Sequence, residues 1–321
     1  MKSLYLADIK DWGSEPTRKG FGTGLVKAGQ IDDNVVALCA DLTDSTQIEP
    51  FAKEFPDRYI EVGIAEQNLV TVASGMAKMG KIPFTASYAA FSPGRNWEQI
   101  RTTICLNDQP VKIVGAHAGL YTGPDGATHQ MLEDIALMRV LPNMVVVVPG
   151  DSIEAEKATL ALAKDMRPGY LRLARDATPV FTTSKTPFEI GKAYVLAPGQ
   201  DVTIISTGVM TPLALQAADK LFHDGIDVEV IHCPTIKPLD NATILASVKK
   251  TKRVITIEEA QINGGLGGAV AELLSEHLPV PVLRMGISDK FGQSGTPDEL
   301  LSHYGLTVKH IMLKAHEIMD R

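Results

Sequence analysis

Cysteine is scarce: the 321 residues hold three, Cys39, Cys105 and Cys233. They are far apart, odd in number and set in apolar runs ("VVALCAD", "RTTICLN", "VEVIHCPT"). That spacing excludes a disulfide framework and a cysteine metal cluster, and predicts buried thiols in a reducing compartment. Long apolar runs are also missing. Nothing approaches the ~20 residues of a membrane-spanning helix, and "MKSLYLADIKDW" carries charge too early for a secretory core, so a cytoplasmic location is expected and no membrane partner. Runs of like charge are absent too. With Lys+Arg 31, Asp+Glu 38 and net charge −7, nucleic acid and lipid surfaces are excluded as bulk partners, although single arginines can still hold single phosphates. The glycine-rich "NGGLGGAV" fits neither the dinucleotide fingerprint nor a phosphate loop with its lysine, and reads as a tight turn with close helix packing. No internal repeat of fixed short period is visible.

What the chain does have is alternation of two kinds of segment. "NVVALCA" (34–40), "VKIVGA" (111–116), "MVVVVP" (144–149) and "YLRLA" (170–174) are β-branched and apolar throughout, the pattern of strands buried on both faces of a parallel sheet. Between them lie helical patterns. Ala65, Leu69, Val72, Met76 and Met79 repeat at helical spacing over 64–79, with Gly80 as the stop. Further helices are expected at 93–106 and 130–139, and after "DSIE", where Asp151 and Glu154 resemble a capping box. Around 176–200 the pattern loosens into Pro, Thr, Gly and Lys, which predicts a domain boundary. Beyond it strands and helices alternate again, from "VTIISTG" to "VPVLRMG". Two α/β domains, each with a parallel sheet, are expected, the second smaller than the first.

Four constellations carry chemistry. Glu66 in "EVGIAEQN" sits in the first turn of a helix, where a carboxylate suits the dipole whether or not it has another role. Tyr88 and Phe91 in "SYAAFSPGR" stand where a strand runs into a turn; they suit a core plug or the walls of a slot for a planar heterocycle. "GPDGATHQMLED" puts Asp125 and His129 on a glycine turn, with His117 upstream in "IVGAHAGLY": hydroxyl-binding and proton-trading groups on one loop system. Arg18, Ser45 and Arg175 are dispersed, each beside the end of a strand or helix, where α/β sheets gather ligands and arginines clasp phosphates.

Taken in order, "PTRKGFG", "DLTDS", "EVGIAEQN", "SYAAFSPGRNWEQIR", "AHAGLYTGPDGATHQMLED", "LRLARD" and "DKFGQSGTPDELL" resemble the C-terminal half of transketolase, over essentially the whole chain. The resemblance implies a pyrimidine-binding domain for thiamine diphosphate over residues 1–185 and a transketolase C-terminal domain over 186–321. It implies that Glu66 hydrogen-bonds the aminopyrimidine ring nitrogen, that Phe91 stacks on that ring with Tyr88 as a second wall, and that Asp41 lines the pocket near the thiazolium. His117 and His129 then act on the transferred two-carbon unit, Asp125 reads a sugar hydroxyl, and Arg18, Ser45 and Arg175 grip the distal phosphate of a sugar phosphate.

One part of the family pattern is missing. Transketolases carry a "GDG" motif on a separate domain that holds Mg²⁺ and the cofactor diphosphate. No such motif occurs here, and Arg18 comes only seventeen residues after Met1. A split transketolase is therefore expected, in which a partner of roughly 270 to 300 residues supplies the diphosphate domain and binds Mg²⁺ or Ca²⁺. Self-association through the pyrimidine-binding domain would then give an α₂β₂ heterotetramer. Two relatives compete with this reading. 1-Deoxy-D-xylulose-5-phosphate synthase shares the loop type but carries both halves in one chain, and the β subunit of a 2-oxoacid dehydrogenase lacks the "DGATHQ" loop and the phosphate set. A non-enzymatic relative is disfavoured by the presence of Glu66, Phe91, His117, Asp125 and all three phosphate anchors.

Overall fold

The computed structural model describes residues 6–320. The first residues of the charged N-terminal stretch and the outermost residue of each expected domain lie outside the described residues. Among the described residues the strands are β1 (Gly13–Glu15), β2 (Val35–Cys39), β3 (Tyr59–Glu61), β4 (Ile82–Tyr88), β5 (Lys112–Ala116), β6 (Val145–Val147), β7 (Gly169–Arg172), β8 (Thr178–Val180), β9 (Tyr194–Ala197), β10 (Val202–Ser206), β11 (Val228–His232), β12 (Thr235–Lys237), β13 (Val254–Gln261) and β14 (Val282–Ile287). They form a seven-stranded sheet in the order β12-β6-β7-β5-β4-β2-β3, a five-stranded sheet in the order β14-β13-β10-β11-β9, and the small pair β1-β8. All neighbours in the larger sheet are parallel except β12 on β6. In the second sheet only β9 runs antiparallel, on the β11 edge.

The continuous apolar runs become strands for the reason the pattern implies: β2, β5, β6, β7, β10 and β11 are buried at every position, because helices cover both faces. On one face of the larger sheet Phe21, Leu25, Phe84, Ala155 and Leu171 pack together. On the other, Leu38, Leu69, Ile113 and Val146 join a cluster that continues without a break to Ile205, Ile231 and Val270 of the second sheet. Each fully buried Val, Leu, Ile or Phe among these contributes roughly 1.5–3 kcal/mol. Gly20 lets helix Thr17–Ile31 approach helix Ser152–Lys164 closely, since a Cβ there would lie 1.8 Å from the Ser152 carbonyl oxygen.

Several local expectations change once side chains find partners. The helix expected over 64–79 runs Glu66–Lys78, followed by Gly80 at φ +87°. The one expected from 93 begins only at Trp97–Gln99 and continues with π winding over Ile100–Cys105. Residues before it form a hydrogen-bonded turn, with the Phe91 and Ser92 N–H groups donating to the Tyr88 carbonyl. The helix expected over 130–139 is Asp134–Arg139, because Gln130 is drawn away: its Nε2 donates to the Gly123 and Gln293 carbonyls, each at 2.9 Å. Asp151 does accept the Glu154 N–H, at 2.9 Å. Glu154, however, does not close the box on Asp151 but accepts the Gly150 N–H and meets His232. The loosened stretch 176–200 contains two short strands, β8 and β9, and β12 crosses from the second half of the chain onto the first sheet.

Parallel strands β2, β4 and β5 end at the same edge of the sheet, and Asp41, Tyr88 and His117 stand at or just beyond those ends. The N-terminus of helix Glu66–Lys78 opens just beyond β3, which pairs parallel with β2. This is where an open α/β sheet collects ligands.

Candidate active site

Glu66 is the first residue of its helix, and its side chain is only 6% exposed. Asn96 Nδ2 donates to the Glu66 carbonyl at 2.8 Å, and Arg95 Nη1 donates to Glu66 Oε1 at 3.1 Å. The buried carboxylate thus has one charged partner and the positive end of a helix in front of it. Arg95 also lies over the Phe91 ring, its Cζ 4.1 Å from the centroid.

Four rings gather next to this carboxylate. Tyr88 stacks on His117 with centroids 3.9 Å apart and on Phe91 at 5.7 Å, and His129 meets Tyr88 and Phe91 edge-on. His117 is held at φ +54°, an unusual conformation for a side chain of its size, while Thr122 Oγ1 donates to its carbonyl at 2.6 Å. Its imidazole is 2% exposed, and Nδ1 has no hydrogen-bond partner among the described residues. Burial first, then the charges of Arg18 and Arg175 and the nearby His129, push its pKa down to about 3. A neutral ring with a free nitrogen can bind a hydroxyl or pass a proton without carrying charge itself.

The loop bearing His129 turns on Gly123 (φ +68°) and Gly126 (φ +73°), conformations open to glycine. Gly126 accepts the His129 and Gln130 N–H groups through its carbonyl, and Thr128 Oγ1 pairs with His129 Nδ1 at 2.9 Å. Asp125 stands exposed at the tip of this turn, outside the ring cluster. Asp41 is exposed as well, at φ +60°, with its N–H donated to Glu61 Oε1 at 2.8 Å.

Arg18, Ser45 and Arg175 come together although 157 residues separate the two arginines. Arg18 Nε donates to the Arg175 carbonyl at 3.1 Å, and Arg18 Nη1 donates to the Ser45 carbonyl. Arg175 Nη1 reaches the Thr122 carbonyl and Asp176 Oδ1, each at 3.3 Å. Burial and the neighbouring Arg175 charge lower the Arg18 pKa. Two guanidinium groups held mostly by carbonyls, with Asp176 bonded to Arg175 and Asp44 near Arg18, still have donors to offer an anion.

Three contributors escaped the sequence reading. Arg95 follows Phe91 by four residues in the hydrogen-bonded turn, and Asn96 follows it. Glu61 accepts the N–H groups of Asp41 and Gly63 and the Tyr59 hydroxyl, so one carboxylate ties the 41–63 loop to the sheet edge. Only the position of Glu61, last in a short strand ahead of a glycine, could have marked it.

Comparison with known proteins gives a consistent set of likenesses. Residues 15–180 match the transketolase pyrimidine binding domain, and residues 191–311 the transketolase C-terminal domain. A chain of Methanocaldococcus jannaschii, named as a transketolase C-terminal section, is 45% identical over 95% of this chain and 96% of its own. A 6-deoxy-6-sulfo-D-fructose transketolase subunit of Clostridium sp. is 41% identical over 92% of each chain. Among solved structures, an inactive beta4 tetramer of a split gene transketolase superposes with a TM-score of 0.89 at 44% identity, covering 95% of this chain and 98% of that one.

Proposed function

The chain belongs to the transketolase family, and we propose that it is the subunit of a split transketolase that binds the pyrimidine end of thiamine diphosphate and the sugar. A separate diphosphate-binding subunit completes the site. The observation that carries this reading is the joint presence, on one open sheet edge, of a buried helix-start carboxylate, an aromatic and histidine cluster, and an arginine pair with donors to offer an anion. In this reading residues 1–185 form the pyrimidine-binding domain and residues 186–321 the C-terminal domain.

The residues suit the cofactor. A flat, edge-donating group already fits between Phe91 and Glu66, as the Arg95 guanidinium demonstrates. Bound thiamine diphosphate supplies carbanion chemistry for moving a two-carbon ketol unit from a ketose to an aldose. Glu66 would share a proton with the pyrimidine ring nitrogen, a task suited to a buried carboxylate. Phe91 and Tyr88 would wall the ring, and Asp41 would line the pocket near the thiazolium. His117, neutral at physiological pH, orients the hydroxyls of the transferred unit, and His129 beside it exchanges protons with them. Asp125 reads a hydroxyl farther along the chain of the sugar.

Arg18, Ser45 and Arg175 take the distal anion. Phosphate is the expected group, and the sulfonated ketose in the name of the Clostridium relative makes sulfonate a second candidate. No Gly-Asp-Gly motif occurs in the 321 residues, so Mg²⁺ or Ca²⁺ and the diphosphate fall to the partner. The matched split gene transketolase is an inactive tetramer of beta subunits, which supports the need for a partner subunit; the working assembly we propose is α₂β₂. A cytoplasmic role in pentose phosphate interconversion follows from the same reading.

The test is ketol transfer from xylulose 5-phosphate to ribose 5-phosphate with thiamine diphosphate and Mg²⁺. It is run on this chain alone and on the complex recovered from its own cells. Activity in the complex only is expected. Inactivity in both, with turnover of pyruvate instead, would move the chain to a synthase or 2-oxoacid enzyme.

A further inference from the structure

Arg95 stands inside the proposed site, yet the proposed chemistry gives it no task. Its backbone N–H donates to the Phe91 carbonyl at 2.8 Å, so a short turn delivers the side chain back over the ring it follows. There the guanidinium makes two contacts: its face lies on Phe91, with Cζ 4.1 Å from the centroid, and its edge donates to Glu66 Oε1 at 3.1 Å. An aminopyrimidine bound by Phe91 and Glu66 needs those same two surfaces, a ring face and a carboxylate edge. One side chain and one heterocycle cannot hold both at once.

We propose that Arg95 is a placeholder that occupies the pyrimidine seat until the cofactor enters and then swings out. The inference rests on the assignment of Glu66 and Phe91 under the proposed function. The two partners differ in exposure in a way that suits the role: the Arg95 side chain is 51% exposed and Glu66 only 6%. Arg95 gives the buried Glu66 carboxylate a counter-charge beside the positive end of its helix. Arg95, being half in solvent, gives up a screened contact and regains hydration when displaced. Its release leaves Phe91 and Glu66 already aligned, because Asn96 keeps hold of the Glu66 backbone from the next position.

A competitor of this kind raises the apparent dissociation constant of the cofactor by the inverse of the fraction of time it leaves the seat free. The experiment measures thiamine diphosphate binding by titration calorimetry on the assembled complex recovered from its own cells, with Mg²⁺ present, for the parent and for Arg95→Ala, Arg95→Gln and Glu66→Ala. Arg95→Gln guards against a truncation that fails to fold, since it keeps most of the bulk without the charge. The expected result is about 3- to 10-fold tighter binding in both Arg95 variants, together with weaker binding in Glu66→Ala. Unchanged or weaker binding in the Arg95 variants, with Glu66→Ala still weakened, overturns the placeholder and leaves the site assignment standing. Binding indifferent to Glu66→Ala overturns the assignment, and the placeholder with it.

Discussion

The protein uses the same kinds of side chain in two places to opposite ends. At the seam between the sheets, Arg172 on β7 donates to Asp134 Oδ2 at 2.9 Å and to Glu259 Oε1 at 2.7 Å, and the Tyr170 hydroxyl donates to Asp134 Oδ2 at 2.7 Å. Nearby, Glu154 meets His232 Nε2 at 2.7 Å, and Thr211 Oγ1 meets His232 Nδ1 at 2.7 Å. At the open sheet edge, by contrast, His117 keeps Nδ1 without a partner and Glu66 relies on a half-exposed arginine. His232 and His117 are equally buried, yet only the seam histidine has both nitrogens paired. Paired charges in a buried seam hold two domains in one arrangement, even though Asp134 Oδ1 has no partner among the described residues; a neutral imidazole with a free nitrogen at the ends of the strands is ready for a ligand.

The contrast breaks most severely at Arg172. Replacing it with Leu leaves Asp134 and Glu259 buried without their cation, so unfolding free energy measured in urea is expected to fall by about 3–5 kcal/mol. An unchanged midpoint would mean that the seam is not what binds the sheets together.

Glu66→Ala is the counterpart at the edge. Turnover of the assembled enzyme is expected to drop by about 10²–10⁴-fold, while the chain's own unfolding free energy shifts by less than about 1 kcal/mol, because the lost partner Arg95 is half in solvent. A large loss of stability with normal turnover would put Glu66 in the seam class.

Arg175→Ala sharpens the comparison within the edge itself. Phosphorylated acceptors are expected to lose about 1.5–3 kcal/mol in kcat/KM, and their unphosphorylated counterparts far less. Equal losses would remove Arg175 from the anion site.

The smallest effect is a pH dependence. The folded pKa of His117 is depressed to about 3, by burial and then by Arg18, Arg175 and His129. The unfolded chain, with a histidine pKa of about 6.5, therefore takes up the proton first. Stability is lost as pH falls from about 6.5 toward 3, by less than about 1 kcal/mol at pH 6. His117→Gln is expected to flatten this slope, and NMR titration of the parent to show a His117 signal with no inflection above about pH 4. An inflection near 6.5 would show a solvated imidazole.

Much of the architecture was legible because it depends on local burial. "NVVALCA" and "VKIVGA" read as strands covered on both faces, and the spacing before Gly80 reads as a helix; the helix is there, but its buried face is Leu69, Val70, Ala73 and Ala77, with Val72 and Met76 only partly buried and Met79 exposed. The misjudged elements are those where a side chain was recruited from a distance. Gln130 was expected in a helix, but the Gln293 carbonyl, 163 residues away, claims its amide. β12 was unreadable because its pairing partner, β6, belongs to the other half of the chain. At the site, the glycine turn and its histidine are visible as a motif, whereas nothing local to "SPGRN" marks Arg95 as a neighbour of Glu66.

By itself, then, the sequence determined the core strands and most of the helices that cover them, where glycine permits a turn, and which chemical groups are at hand, since each of these depends on neighbours within a few residues. Tertiary structure alone decided that Arg95 covers Phe91 and Glu66, that Arg18 meets Arg175, and that Arg172 is consumed by the seam. An arginine's role is set by which carboxylate, carbonyl or ring comes within hydrogen-bonding or stacking reach of its planar head group, and that distance exists only once the chain has folded.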